Sequence, residues 1–209
     1  MWTGIEVWGN FNLPQYGINQ GTLILNNSTI ENARQGVRLW EPNNWSSTGG
    51  ILRAANSNFV NNILDVEFIP YNWSLIGVDQ PNKGNFDNCS FITDDNFLAD
   101  GYYSHVTLYD VKGVNFFSCD FTDSRVVNFA KRGRGIVSID AKYKVLGKFI
   151  GTSATLSEYY DPLNYDGCTF TGLKSGVEVM NVNSQSTVTV DQASFLDCQY
   201  GVRLSQVDN

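Results

Sequence analysis

Three thiols, Cys89, Cys119 and Cys168, are the first residues whose type and spacing suggest chemistry; they stand 30 and 49 positions apart. A zinc site would want paired ligands such as Cys-x-x-Cys, and no such pair occurs. If the three share an inward column on neighbouring strands about 4.8 Å apart, they form a ladder of buried free thiols, with a disulfide between neighbours as the alternative. Cys198 falls off that ladder.

A second set joins charge to aromatic surface. Glu6, Arg38 and Glu67 lie two residues before Trp8, Trp40 and Ile69, and Thr107 stands in the same relation to Tyr109. Flat indole faces suit sugar rings, and Arg and Glu suit hydroxyls and carboxylates, so Trp8, Trp40, Arg38, Glu67 and Tyr109 are the candidate glycan-binding residues. The bland alternatives are a cross-strand charge ladder, worth roughly 0.2–1 kcal/mol per pair, and aromatics covered by loops. Arg125, Lys131, Arg132 and Arg134 form a basic loop, either a charged turn or a contact for an acidic polysaccharide. Asp94-Asp95 reads as a solvated pair. No Gly-x-Ser-x-Gly elbow, phosphate loop or His-Glu-x-x-His motif occurs, so no residue is assigned as catalytic and no metal site is expected.

The elements that must position these residues follow from a repeat. Six apolar centres, Ile30, Phe59, Phe91, Phe121, Phe170 and Phe195, each follow a small residue two positions earlier: Ser28, Ser57, Cys89, Cys119, Cys168 and Ala193. Period-2 alternation turns both inward on one short strand. Five and seven residues upstream a second inward pair recurs, from Leu23 and Leu25 to Val188 and Val190; before Cys168 either Tyr143-Lys144-Val145 or Leu163-Asn164-Tyr165 fills that strand. Asn27, Asn56 and Asn88 mark the bend between the two, because Asn tolerates left-handed backbone and stacked amides can bond to one another. A third strand follows a Gly at Gly36, Gly176 and Gly201, with Asp65 as counterpart, and runs Val37-Arg-Leu39, Val66-Glu-Phe68, Val106-Thr-Leu108, Val177-Glu-Val179 and Val202-Arg-Leu204.

Short strands at this period, each unable to bury its own apolar side, predict a solenoid, and the preferred hand of parallel crossovers predicts right-handed coiling. The rival is an antiparallel sandwich, which would need hairpins and no fixed columns. The fold class expected is therefore all-β, a single-stranded right-handed parallel β-helix of about six to seven coils, with residues 1–209 as one such domain. The stretches Gly9 to Gln20, Glu41 to Gly50, Pro70 to Asn82, Asp94 to Ser104, Arg125 to Arg134 and roughly Leu146 to Asn164 are expected to be loops.

Composition agrees and excludes some roles. Thirteen Phe, ten Tyr and nineteen Gly with 17% charged residues suit an all-β protein. A formal charge of −7 argues against general nucleic-acid binding. No apolar run reaches the ~20 residues of a membrane span, and Met1-Trp-Thr-Gly-Ile5 is not a signal peptide. Gly4-Ile-Glu-Val-Trp8 matches Gly36-Val-Arg-Leu-Trp40, so the chain is expected to start in mid-coil, to be a fragment of a longer protein, and to associate end to end through its open coils.

The Gly-Val-x-Leu strand, the Cys-x-Phe strand and the polar corners resemble the right-handed parallel β-helix repeats of the pectin-lyase-like superfamily. The opening Trp2-Thr-Gly-Ile-Glu-Val-Trp-Gly-Asn10, with Thr29-Ile-Glu-Asn-Ala33 and Gly36-Val-Arg-Leu-Trp40, is similar to large surface or secreted proteins of Bacteroidetes-type bacteria. The resemblance implies an exported parent protein at the cell surface or outside the cell. It also implies what an enzyme of this fold would show. Pectate lyases gather carboxylates around Ca²⁺ beside an Arg or Lys base, for which Glu6, Arg38 and Glu67 are the nearest approach; polygalacturonases use paired aspartates and Gly-His-Gly, whereas the lone His105 sits in Ser-His-Val. The expectation is a non-catalytic surface module that contacts polysaccharide without a cofactor. The alternative is a lyase or hydrolase acting on acidic polysaccharide, with Ca²⁺ entering only there and the active site on the third strand's outer face or in coils beyond this chain.

Overall fold

The inward columns expected from the repeat are present as three parallel sheets. The computed structural model describes residues 1–99, 104–152, 156–183 and 187–206. Sheet I has seven strands: Ile5–Glu6, Gln35–Arg38, Leu64–Phe68, Ser104–Tyr109, Arg134–Ile139, Ser175–Asn181 and Tyr200–Gln206. Sheet II has six, Thr22–Asn26, Ile51–Ala55, Asn85–Asp87, Lys112–Phe117, Lys142–Leu146 and Val188–Asp191. Sheet III has six, Thr29–Glu31, Asn58–Val60, Ser90–Thr93, Asp120–Asp123, Cys168–Thr171 and Ala193–Leu196. The chain visits II, III and I in that rotation, an order compatible with a parallel β-helix.

Register makes each column literal. Ile30 pairs with Phe59, Phe59 with Phe91, Phe91 with Phe121, Phe121 with Phe170, and Phe170 with Phe195. The rings stack along this column, at 4.6 Å between Phe91 and Phe121 and 4.7 Å between Phe121 and Phe170, with nearly parallel planes in both cases. With Phe86 stacked on Phe116 at 4.9 Å in sheet II, they form the aromatic heart of the core. In-register stacking about every 4.8 Å is what lets one side-chain type recur without strain.

The corners obey backbone sterics. Asn27, Asn56, Asn88, Ser118 and Gln192, at the bend from sheet II to sheet III, all have φ between 49° and 54°. Asn is the ordinary residue best suited to that region, and the Asn88 amide donates to Asn56 Oδ1 at 2.7 Å.

One open alternative is decided, and several expectations change. Tyr143 and Val145, not Leu163 and Tyr165, continue sheet II, pairing with Val114 and Phe116 on one side and Val188 and Val190 on the other. Leu163 is 84% exposed, and Tyr165 joins Phe149 in a small antiparallel pair. Tyr143 and Val145 win because an inward apolar pair on the right alternation continues the core, and Leu163 instead lies within the short 3-10 turn Pro162–Asn164, capped by Asp161. The strand Arg134–Ile139 was unexpected; it inserts Val137 between Thr107 and Glu178, and Ile139 between Tyr109 and Met180. Within the expected loops, Trp40–Glu41 pairs antiparallel with Asn44–Thr48, and Ser74–Leu75 with Val78–Asp79. Residues 100–103 of the loop Asp94 to Ser104, and 153–155 of the loop Leu146 to Asn164, lie outside the described residues.

Candidate functional site

Alternation along sheet I sends Val37 and Leu39 inward and Arg38 and Trp40 outward, and parallel pairing sets Arg38 between Glu6 and Glu67. Arg38 Nη1 lies 3.7 Å from Glu6 Oε1, and its guanidinium sits 5.8 Å from the centre of the Trp40 ring. The carboxylates orient indoles: Trp8 Nε1 donates to Glu6 Oε2 at 3.1 Å, and Trp40 Nε1 to Glu67 Oε2 at 2.8 Å. Gln35 Nε2 donates to that same Glu67 oxygen at 2.8 Å. Charge and aromatic surface are thus joined into one unit by hydrogen bonds, an ion pair and a cation–π contact.

The unit borders a cleft of about 750 Å³ lined by Thr3, Arg34, Gln35, Arg38, Glu67 and Ala99 among others. The hairpin after Trp40 turns back, and Trp45 stacks on Trp40 with ring centres 5.8 Å apart and planes 20° apart. Trp45 is 64% exposed and Trp8 47% exposed. The repeat did not point to Trp45, because a hairpin tip has no column; its signal was a second tryptophan five residues after Trp40.

The remaining candidates are placed as follows. Tyr109 is half-buried two rungs beyond Trp40's column position, after the buried Ile69, so it is not continuous with the indole pair. The basic loop is engaged internally: Arg125 grips the buried Asp123 carboxylate through Nε at 2.9 Å and Nη2 at 2.7 Å. Arg132 donates to the Gly172 carbonyl at 2.7 Å, and Arg134 pairs with Glu178 at 3.0 Å. Lys131 is exposed. Glu178 also meets Arg203 at 3.6 Å, so this end of the outer column is a separate ionic knot.

Asp94 is held by Asn61 rather than merely solvated. The Asn61 amide donates to its Oδ1 at 2.8 Å, and this bond, with a further one from the Asn96 amide N–H, holds the carboxyl below the usual carboxylate range. Cys89, Cys119 and Cys168 are buried free thiols; Cys119 lies mid-ladder, and burial pushes its thiol well up. Cys89 and Cys119 donate to the carbonyls of Asp87 and Phe117, as Ser57 does to Ala55, so thiol and hydroxyl serve the same corner.

Glu6, Arg38 and Glu67 do not suit the calcium that a lyase would need. Ca²⁺ takes six to eight oxygens, whereas these two carboxylates are separated by a guanidinium and already accept hydrogen bonds from Trp8, Trp40 and Gln35. Among the described residues, no cluster of three or more His, Cys, Asp or Glu is arranged to hold a metal ion.

Beneath the cleft lies a pair the repeat half-revealed. The column that begins sheet I's strands reads Gly4, Gly36, Asp65, His105, Gly135, Gly176, Gly201. Glycine is needed where the aromatic column closes over it: a Cβ on Gly135 would sit 2.4 Å from the Gly176 carbonyl oxygen and 2.8 Å from the Phe170 ring. Asp65 and His105 break the run together, and His105 Nδ1 lies 2.6 Å from Asp65 Oδ2 with both side chains 1% exposed. The Asn62 amide donates to Asp65 Oδ1 at 2.7 Å and to the Ile30 carbonyl at 3.0 Å. Burial raises the Asp65 carboxyl above its ordinary range, against the opposing pull of His105 and Asn62. Asp65 as the Gly counterpart and Val106 as a third-strand residue were both readable; together they put His105 beside Asp65.

No family model, curated sequence or solved structure matches the chain. No helix among the described residues is long and apolar enough to cross a membrane.

Proposed function

We propose that this chain is a glycan-binding, non-catalytic module of an exported protein, built as a right-handed parallel β-helix of the pectin-lyase-like type. The observation that carries the reading is the stacked Trp40–Trp45 pair, with Trp45 exposed and Trp40 held in orientation by Glu67 and Arg38. A solvent-facing indole platform with fixed polar neighbours suits the apolar face and hydroxyl edge of a sugar ring. The parallel columns and the polar corners support the β-helix; the hand follows from the general rule for parallel crossovers.

The test is a glycan array probed with the chain and with Trp40→Ala/Trp45→Ala. Binding by the parent that falls at least tenfold in the double variant is expected; a parent that binds no glycan, or a variant that binds equally, refutes the platform. Incubation with acidic polysaccharides and Ca²⁺ supplies the second arm, because unsaturated products or new reducing ends would replace this reading with a lyase or hydrolase.

A further inference from the structure

The outer face of sheet II carries an arrangement that the glycan platform does not use. Ile24, Arg53, Asn85, Asn115, Lys144 and Thr189 form one outward column across six strands. Beside it stand Lys83, Lys112 and Lys142, with Lys148 at the end. Lys112 is paired with Asp79, and Lys148 with Asp87 at 3.1 Å. Among the described residues, Arg53, Lys83, Lys142 and Lys144 have no carboxylate within salt-bridge distance, and all four are exposed. A protein of net charge −7 thus gathers a strip of exposed cations on one face, of which Lys142 feels the Asp79 carboxylate at longer range.

Two apolar tips border that strip. The hairpin Ser74–Leu75/Val78–Asp79 is tied to it by the Asp79–Lys112 ion pair, and its turn presents Ile76, 94% exposed, between the exposed Leu75 and Val78. Ile76 has φ of 51°, a region that disfavours a β-branched side chain, so an Asn would form this turn more easily. The second tip is Ile18, 95% exposed, just after Tyr16 and Gly17. Those two residues line a cleft with Arg53 and Lys83, and Lys83 Nζ lies 5.0 Å from the Tyr16 ring.

We propose that the outer face of sheet II docks on an anionic lipid bilayer, with the cations lying at the headgroups and the Ile18 and Ile76 tips entering the acyl boundary. Each Lys or Arg of a cationic plane is drawn to an anionic surface, an attraction that salt screens, and exposed apolar tips supply the second signal stable attachment needs. A soluble polyanion would satisfy the cations but leave both isoleucines in water, which favours the bilayer.

The test is cosedimentation of the chain with phosphatidylcholine vesicles and with vesicles also containing phosphatidylglycerol, at low and high salt. Binding at least tenfold tighter to the anionic vesicles and weakened by salt is expected, falling at least tenfold in Arg53→Glu/Lys144→Glu. Ile18→Ser/Ile76→Asn should also bind about tenfold more weakly; because Asn suits the turn, this variant should keep the circular dichroism spectrum of the parent. No binding to anionic vesicles, equal binding to both kinds, or unchanged binding by the isoleucine variant overturns the proposal. The last result, with capture on a sulfated polysaccharide or on DNA, would make the strip a polyanion site instead.

Discussion

The buried Asp65–His105 pair offers the sharpest test of how the strands under the cleft are held. Asp65 is three residues from Asn62 and two from Glu67, so the contact links the strand bearing Glu67 to the next strand of sheet I, while Asn62 links it back to Ile30 and Ala33. Asp65→Ala takes away the 2.6 Å partner of a fully buried imidazole and one acceptor of Asn62; His105→Ala takes away one of the two side chains that hold the fully buried carboxyl. Leaving a buried polar group unsatisfied costs about 1–3 kcal/mol, and the space opened in a packed core adds to that. Each single variant should therefore lose about 3 kcal/mol, lowering the melting temperature by about 6–12 °C in a chain of this size. The double variant removes both groups at once and should lose clearly less than the sum of the singles, with a coupling of about 2 kcal/mol or more. Urea denaturation followed by intrinsic fluorescence and by circular dichroism measures both, with coincidence of the two probes checking that one transition is being read. Additive effects, each below about 1 kcal/mol, would refute the claim that the pair ties these strands together.

Two further outcomes follow from the same coordinates. In native protein, an aromatic disulfide reagent should react slowly with the partly buried Cys198 and leave Cys89, Cys119 and Cys168 untouched, with four thiols reacting after denaturation; a mass two hydrogens lighter per disulfide under non-reducing conditions would contradict the free ladder. The lowered Asp94 carboxyl contributes stability that is full above its unfolded value near 3.8 and lost as pH falls through its lower folded value, so the melting gap between the parent and Asn61→Ala should be wider at pH 7 than near pH 2, the remainder in acid coming from the left-handed backbone at Asn61, φ 54°, and from the Asp94 N–H that Asn61 Oδ1 accepts; an equal gap at both pH values would refute the carboxylate's share.

The columns were readable from the chain because parallel stacking repeats one environment every coil. Ile30 through Phe195, the Asn corners and the Cys ladder each needed only a residue type recurring at the right offset from its neighbours. The order of the sheets followed as well, since a small-x-large strand can bury its inner face only against copies of itself. Three things lay beyond that logic. The choice of Tyr143 over Leu163 depended on which apolar pair could continue a core already closed on both sides, and local alternation was satisfied by either. The indole platform depended on a hairpin that folds Trp45 back over Trp40, a contact set by turn geometry with no periodic trace. The fate of the charges was decided only in three dimensions: Arg125, Arg132 and Arg134 looked free in sequence but are taken up by Asp123, Gly172 and Glu178, whereas Arg53, Lys83, Lys142 and Lys144, scattered along the chain, meet on one face. Periodicity encodes what stacks; which cation finds a carboxylate depends on distances between residues from different coils and loops, and those exist only once the coils are in place.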